Sequence, residues 1–311
     1  MDSLLLGLAA ALCFVFGWNN SSFLIGNLRG SGSLSYGAAI GVSVVGLFLG
    51  VLLEGPKMTK SLAGTLAPGT ETVLLATIAV SLFLTLALTV LRLPVSFSMV
   101  MVGAFIGAAL AAGFALKTSR AEDIVGFWVV GPVATAPLTF LVYAGVTKLV
   151  SRFSLLAVDT FNRASGLLSA LAVSYTLGAN NIGLFYGTSL TGTVTQPQES
   201  ETLLLLTFVA VVGIVALGRN ALGGTIGDRM LSLSPQGVFS AFVASSVVVW
   251  AGTQLALPIS ITQCLLGGML GAAYTRSVTV LNGKLVWETV AAWVAAPVAA
   301  LALAYIFVVV G

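Results

Sequence analysis

Two stretches of the sequence read FGWNN at residues 16–20 and LGANN at residues 177–181, each at the end of a long apolar run. A second pair reads LPVSFS at residues 93–98 and LPISIT at residues 257–262. The Asn pairs are 161 residues apart and the Pro-led stretches 164 residues apart. Two unrelated motifs thus recur in the same order at nearly the same distance. This predicts an internal duplication, with residues 1–155 as the first unit and residues 156–311 as the second.

The composition places the chain in a lipid bilayer. Of its 311 residues, 58% are hydrophobic and only 7% are charged, whereas soluble domains contain about 25% charged residues. Apolar windows near the length of about 20 residues that crosses a bilayer recur along the whole chain. The ten predicted segments are 3–24, 36–53, 71–91, 95–115, 124–147, 165–188, 202–217, 237–256, 259–275 and 286–310. We expect a multi-pass protein of the cell membrane.

Each predicted unit contains five apolar segments. Because five is an odd number, the second unit enters the membrane from the side opposite to the first, which is an arrangement typical of secondary transporters. The predicted fold is an all-α polytopic membrane protein with about 10 to 12 transmembrane or re-entrant helices. These helices would form two inverted-topology repeats, with broken helices at mid-membrane.

The repeated Asn pairs predict an interruption of the helix. Glycine loosens a membrane helix, and asparagine competes for its backbone hydrogen bonds. Backbone groups freed in this way are tolerated only where protein or a water-filled cavity satisfies them. The alternative is ordinary helix packing through a small residue and interhelical amide bonds. Recurrence at matching places favours a functional role.

The Pro-led stretches predict an anion site. Pro94 and Pro258 suit the first turn of a helix, where a missing N–H costs nothing. Free backbone N–H groups and the positive end of the helix dipole would surround the hydroxyls that follow. Those hydroxyls belong to Ser96, Ser98, Ser260 and Thr262. Such a site binds an anion with neutral donors. The alternative is that these side chains only cap their own helices.

Several other classes of function are excluded. The chain has no histidine, and its two cysteines, Cys13 and Cys264, lie in separate apolar windows, so the usual ligands of a transition metal are missing. No nucleophile and base pair up for catalysis, so we do not expect an enzyme. No basic run suits nucleic acid. The expected partners are the lipid bilayer and an anion, and a homodimer stays open. We expect no cofactor other than sodium or a proton as a coupling ion.

The order of these motifs resembles the inorganic phosphate transporter (PiT) family, also called phosphate permeases. Its repeats carry Gly-Ala-Asn-Asp and then Pro-Val-Ser-Thr-Thr. The short Gly-led polar stretches after each Asn pair are similar as well, at residues 26–27 and 187–189. So are the Trp-x-x-x-Pro patterns that begin at Trp128 and Trp293. The resemblance covers nearly the whole chain and implies symport of phosphate with sodium, through a site where the two repeats meet.

The resemblance also assigns residues, and the departures from it matter. Asn19 and Asn180 match the family's Asn, and the four hydroxyls above match those that surround the anion. Gln263 and Met99 stand where the family often has His, and Gln263 is included as a substrate ligand. The family's Asp is replaced by Asn20 and Asn181, which are candidates for the coupling-ion site. Further replacements are Phe97 and Ile261 for Thr, and Leu47 for Glu.

An amide oxygen can ligate sodium but brings no negative charge, so the two Asp-to-Asn replacements weaken a cation site. They also reduce repulsion of the anion. The predicted function is a permease or symporter for inorganic phosphate, with an undetermined coupling ion. A permease for sulfate or another oxyanion is the alternative substrate class, and a passive anion channel is the alternative mechanism.

Overall fold

The computed structural model describes residues 2–91, 93, 95–190, 196–221, 233–275 and 283–311. Pro94 of the first Pro-led stretch lies outside them. Within these residues the chain folds into helices. They are α1 (Asp2–Gly30), α2 (Tyr36–Met58), α3 (Glu71–Val90), α4 (Phe97–Ala111), α5 (Thr118–Val150), α6 (Leu155–Leu177), α7 (Gly183–Ser189), α8 (Gln196–Ala221), α9 (Pro235–Gln254), α10 (Ile261–Thr275) and α11 (Gly283–Val310). A π-helical turn, Gly178–Ile182, joins α6 to α7.

Each of the ten predicted apolar segments coincides with a helix, α6 and α7 together forming the sixth. Eight helical stretches in the described residues are long and apolar enough to cross a bilayer. The exceptions are the two helices that follow the Pro-led stretches, α4 and α10, which have 15 residues each. The prediction of an all-α, multi-pass membrane protein is confirmed.

The predicted interruption at the Asn pairs is wrong for the first unit and only partly right for the second. Helix α1 continues through Asn19 and Asn20. The Nδ2 of Asn20 donates to the Phe16 carbonyl one turn earlier at 3.0 Å, so this side chain does not disrupt the backbone. In the second unit the helix widens into a π turn instead of ending. The chain leaves the helical path at the Pro-led stretches, between α3 and α4 and between α9 and α10.

The helices pack mainly across the two predicted units. The most extensive contacts join α1 to α8, α2 to α6, α4 to α11 and α5 to α10. Exchanging every helix for its counterpart in the other unit turns the first pair into the second and the third into the fourth. Contacts of α3 with α4 and of α9 with α10 follow the same rule. Each unit therefore relies on the other for its packing, and the two form one body.

Glycines hold the pairs together at backbone distance, and they recur in the same way. A Cβ on Gly17 would overlap the Ala210 carbonyl oxygen, and one on Gly178 would overlap the Leu47 oxygen. The same holds for the pairs formed by α4 and α10. A Cβ on Gly103 would meet the oxygen of Pro297, and one on Gly267 would meet that of Pro132. Glycine is thus required for close approach at matching places. Leu47, which replaces a Glu of the resembled family, lies in one of these tight contacts.

Candidate functional site

The starts of α4 and α10 meet inside the protein around a small cavity. Its volume is about 10 Å³, close to the space that one water molecule needs. Both Asn pairs and both Pro-led stretches contribute to its walls. The lining residues are Phe16, Asn20, Val95, Ser96, Phe97, Ser98, Asn181, Ser260, Ile261 and Thr262. The structure therefore brings together the four motifs that lie far apart in the sequence.

The four hydroxyls occupy the first turns of the two short helices. The Oγ of Ser96 accepts the backbone N–H of Met99 at 3.4 Å, and the Oγ of Ser260 accepts that of Gln263 at 3.3 Å. Each capping hydroxyl also faces the next one, Ser98 at 3.3 Å and Thr262 at 3.0 Å. All four side chains are buried. Both readings from the sequence therefore apply, because these groups cap their helices and line a cavity.

Asn19 and Asn180 face away from the cavity and towards a neighbouring helix. Their Nδ2 groups donate to the hydroxyls of Thr89 and Thr253, respectively, each at 3.0 Å. Asn180 also donates to the carbonyl of Leu257 at 3.1 Å. These two residues thus hold the chain that leads into α4 and α10, and neither is among the residues that line the cavity.

The second Asn of each pair reaches the cavity instead. The Nδ2 of Asn20 is engaged with Phe16, and that of Asn181 donates to the Leu177 carbonyl at 3.5 Å. Since both nitrogens point back along their own helix, each amide has its oxygen left for the cavity. Asn20 and Asn181 therefore bring two amide oxygens close to the hydroxyls of α4 and α10.

Three aromatic rings form one wall. The ring centroids of Phe16 and Phe97 are 5.3 Å apart, and those of Phe16 and Phe185 are 5.1 Å apart, both in edge-to-face contact. Such contacts are stabilising beyond the area they bury. The sequence analysis did not assign these rings to the site. The available signal was Phe16, which directly precedes the first motif, and Phe97, which lies between two of the predicted hydroxyls.

The cavity lining contains no charged side chain among the described residues. Its polar atoms are hydroxyls, amide oxygens and the backbone N–H groups at the starts of two helices. Gln263 lies outside this lining and belongs to a neighbouring pocket between α4, α5, α10 and α11. Consecutive residues of a helix point about 100° apart, so Thr262 and Gln263 cannot share one direction.

Comparison with known proteins follows from this geometry. A family model described as "Phosphate transporter family" matches twice, at residues 16–165 and 156–304. The chain belongs to the phosphate transporter family. Relatives of this family include a Methanocaldococcus jannaschii protein named as a phosphate permease, 24% identical over 95% of this chain and 93% of its own length. A Bacillus subtilis protein named as a low-affinity inorganic phosphate transporter is 26% identical over 92% and 90%.

A solved structure, titled as the sodium-dependent phosphate transporter, has the same fold. It superposes with a TM-score of 0.84 at 18% sequence identity and covers 99% of this chain and 98% of its own. The likeness spans the entire helical body, including the two short helices that meet at the cavity. Membership of the phosphate transporter family and the membrane-spanning helices place the chain in the cell membrane as a multi-pass protein.

Proposed function

We propose that the chain is a permease for inorganic phosphate and that the anion binds where the starts of α4 and α10 meet. The observation that carries the proposal is the convergence of Ser96, Ser98, Ser260 and Thr262 on one buried cavity. The names of the relatives support phosphate as the substrate. Hydroxyls and helix N-termini suit a tetrahedral oxyanion, because they donate hydrogen bonds from several directions.

Neutral donors suit transport as well as binding. A fixed positive charge in a dry site would hold a phosphate tightly, whereas hydroxyls and backbone N–H groups can be exchanged for water when the site opens. The cavity of about 10 Å³ is too small for the four oxygens of phosphate. We infer that α4 and α10 move apart to admit the anion. The rings of Phe16, Phe97 and Phe185 would close one side of the site behind it.

We further propose that this permease does not depend on sodium in the way that a carboxylate-lined site would. Asn20 and Asn181 stand where the resembled family has Asp, and both lie at the cavity. Their amide oxygens can ligate sodium but leave its charge uncompensated in a buried site, which is costly. A proton or exchange against another anion would then drive or balance uptake.

Transport assays in proteoliposomes test both parts of the proposal. Purified protein is reconstituted, and uptake of radiolabelled phosphate and sulfate is measured with and without sodium and with and without a pH gradient. The expected result is saturable phosphate uptake that sodium changes by less than about twofold. Preferred uptake of sulfate would replace the substrate, and strict sodium dependence would contradict the coupling proposal.

Counterflow separates a carrier from a channel. Vesicles are loaded with unlabelled phosphate and diluted into a trace of labelled phosphate. A carrier that exposes one site to alternate sides accumulates the label transiently above equilibrium. A channel with the same site does not. Absence of both counterflow and uptake in correctly folded protein would contradict the assignment of a transport function.

A further inference from the structure

A second, larger pocket lies directly behind the anion cavity. It has a volume of about 400 Å³, within the size range of small-molecule sites, and lies between α4, α5, α10 and α11. Its walls are almost entirely apolar side chains. They include two tryptophans, Trp128 and Trp293, which occupy corresponding places in the two units. Met99 and Gln263 also correspond, and both line the pocket.

Two buried polar atoms on the pocket residues have no hydrogen-bond partner. They are the Oε1 of Gln263 and the Nε1 of Trp293. These side chains are only 5% and 7% exposed, respectively. An unsatisfied buried polar group costs about 1–3 kcal/mol. The counterpart ring behaves differently, because the Nε1 of Trp128 donates to the Pro258 carbonyl at 3.1 Å. The pocket thus offers one acceptor and one donor in an otherwise apolar space.

The pocket opens on the surface that faces the lipid. Val129 on α5 and Val294 on α11 line it and are 63% and 65% exposed, respectively. Both helices are long and apolar enough to span the bilayer. A molecule dissolved in the hydrocarbon can therefore reach the buried polar atoms without crossing a water layer.

We propose that this pocket binds a lipid-soluble molecule that carries a hydroxyl group. A hydroxyl donates one hydrogen bond and accepts others, so it can satisfy both Gln263 and Trp293. A plain hydrocarbon would fill the volume but leave both polar atoms unpaired. A surface side chain of a second copy would meet the exposed valines first, whereas the unpaired atoms lie among buried residues.

The occupant would act on the anion site through α4 and α10. Met99 and Gln263 directly follow Ser98 and Thr262, whose hydroxyls line the anion cavity. The backbone N–H groups of Met99 and Gln263 are those capped by Ser96 and Ser260. A molecule held between the two tryptophans thus contacts the first turns that must separate to admit phosphate. We expect it to slow transport.

Quenching of tryptophan fluorescence measures the binding directly. The full-length protein in proteoliposomes is titrated with 10-bromodecan-1-ol or with 1-bromodecane, since bromine quenches a tryptophan only on contact. We expect the alcohol to quench at about tenfold lower membrane concentration, because it pairs the buried polar atoms. Gln263→Met, which copies the residue of the other unit, should abolish this preference. Met99→Leu is the matched control and should retain it.

A second variant keeps the test decisive if Gln263→Met does not fold. Val294→Phe fills the exposed mouth of the pocket and should weaken quenching by both compounds. Equal quenching by the alcohol and the hydrocarbon in the unmodified protein would overturn the proposal. So would a Val294→Phe protein that changes oligomeric state and still binds the alcohol, because a second copy would then cover this face. Inhibition of phosphate uptake by the alcohol rests on the proposed function, whereas the quenching does not.

Discussion

The backbone N–H of Ile259 donates a hydrogen bond to the Oδ1 of Asn180 at 3.3 Å, although the two residues are 79 positions apart. The same amide donates to the Leu257 carbonyl at 3.1 Å. Asn180 therefore holds both sides of Pro258, where the chain turns into α10. An asparagine beside the cavity thus positions the hydroxyls of Ser260 and Thr262 without lining the cavity itself.

Replacing Asn180 with Ala should destabilise the protein strongly. The change leaves the Ile259 N–H and the Leu257 carbonyl without partners, and we expect a loss of about 1–3 kcal/mol in unfolding free energy. Thermal unfolding of the purified protein in detergent measures it. Asn19→Ala is the matched control, because that half-buried side chain makes a single hydrogen bond, to Thr89. If both variants unfolded at the same temperature, Asn180 would not have this positioning role.

Removing the hydroxyls of α10 should weaken phosphate binding. Ser260→Ala and Thr262→Val each delete one donor from the buried cavity, and we expect the half-saturating phosphate concentration to rise by about fivefold or more. Uptake at graded phosphate concentrations measures the change. Ser245→Ala serves as control, because the Ser245 hydroxyl is buried and donates within its own helix to Ala241 at 2.6 Å. Unchanged affinity in both cavity variants would remove these residues from the site.

Introducing Asp at the second Asn of each pair should create sodium dependence. Asn20→Asp and Asn181→Asp together place two carboxylates at the cavity, and sodium would then compensate their charge. Phosphate uptake by the double variant should require sodium, and uptake without sodium should fall well below that of the unmodified protein. Asn162→Asp, on the exposed part of α6, is the control for added charge. A double variant that stays indifferent to sodium would place the cation site elsewhere.

Adding a methyl group at the backbone contacts should disrupt the fold. Gly103→Ala and Gly267→Ala would drive a Cβ into the carbonyls of Pro297 and Pro132, and the backbone on the other side cannot yield without shifting a helix. We expect a large drop in folded yield from membranes. Gly126→Ala on α5 meets nothing within 4 Å and should be neutral or stabilising by about 1 kcal/mol. Size-exclusion chromatography after detergent extraction compares the three variants.

The helices could be predicted because a bilayer imposes both the length and the apolar character of each segment. The Pro-led starts of α4 and α10 were also predictable, since proline and the hydroxyls after it act within one turn. The continuity of α1 was not, because it depends on Asn20 donating within its own helix to Phe16 instead of freeing the backbone.

Long-range packing set the rest of the site. The wall of Phe16, Phe97 and Phe185 joins three helices, and no local pattern reports which rings will meet. The direction of Gln263 followed from helix geometry, because its neighbour Thr262 already faces the cavity. The resemblance grouped these two residues by motif, whereas the fold sends their side chains to different pockets.

The π-helical turn of Gly178–Ile182 has no equivalent in α1. A π turn holds an additional residue that an α-helix can absorb only by sliding its downstream part by one position. Only one of the two units therefore carries this spare length beside the cavity. In a permease of the proposed kind, the inward-facing and outward-facing states would differ in free energy even at equal phosphate on both sides, so that the molecule would rest with its gate towards one compartment.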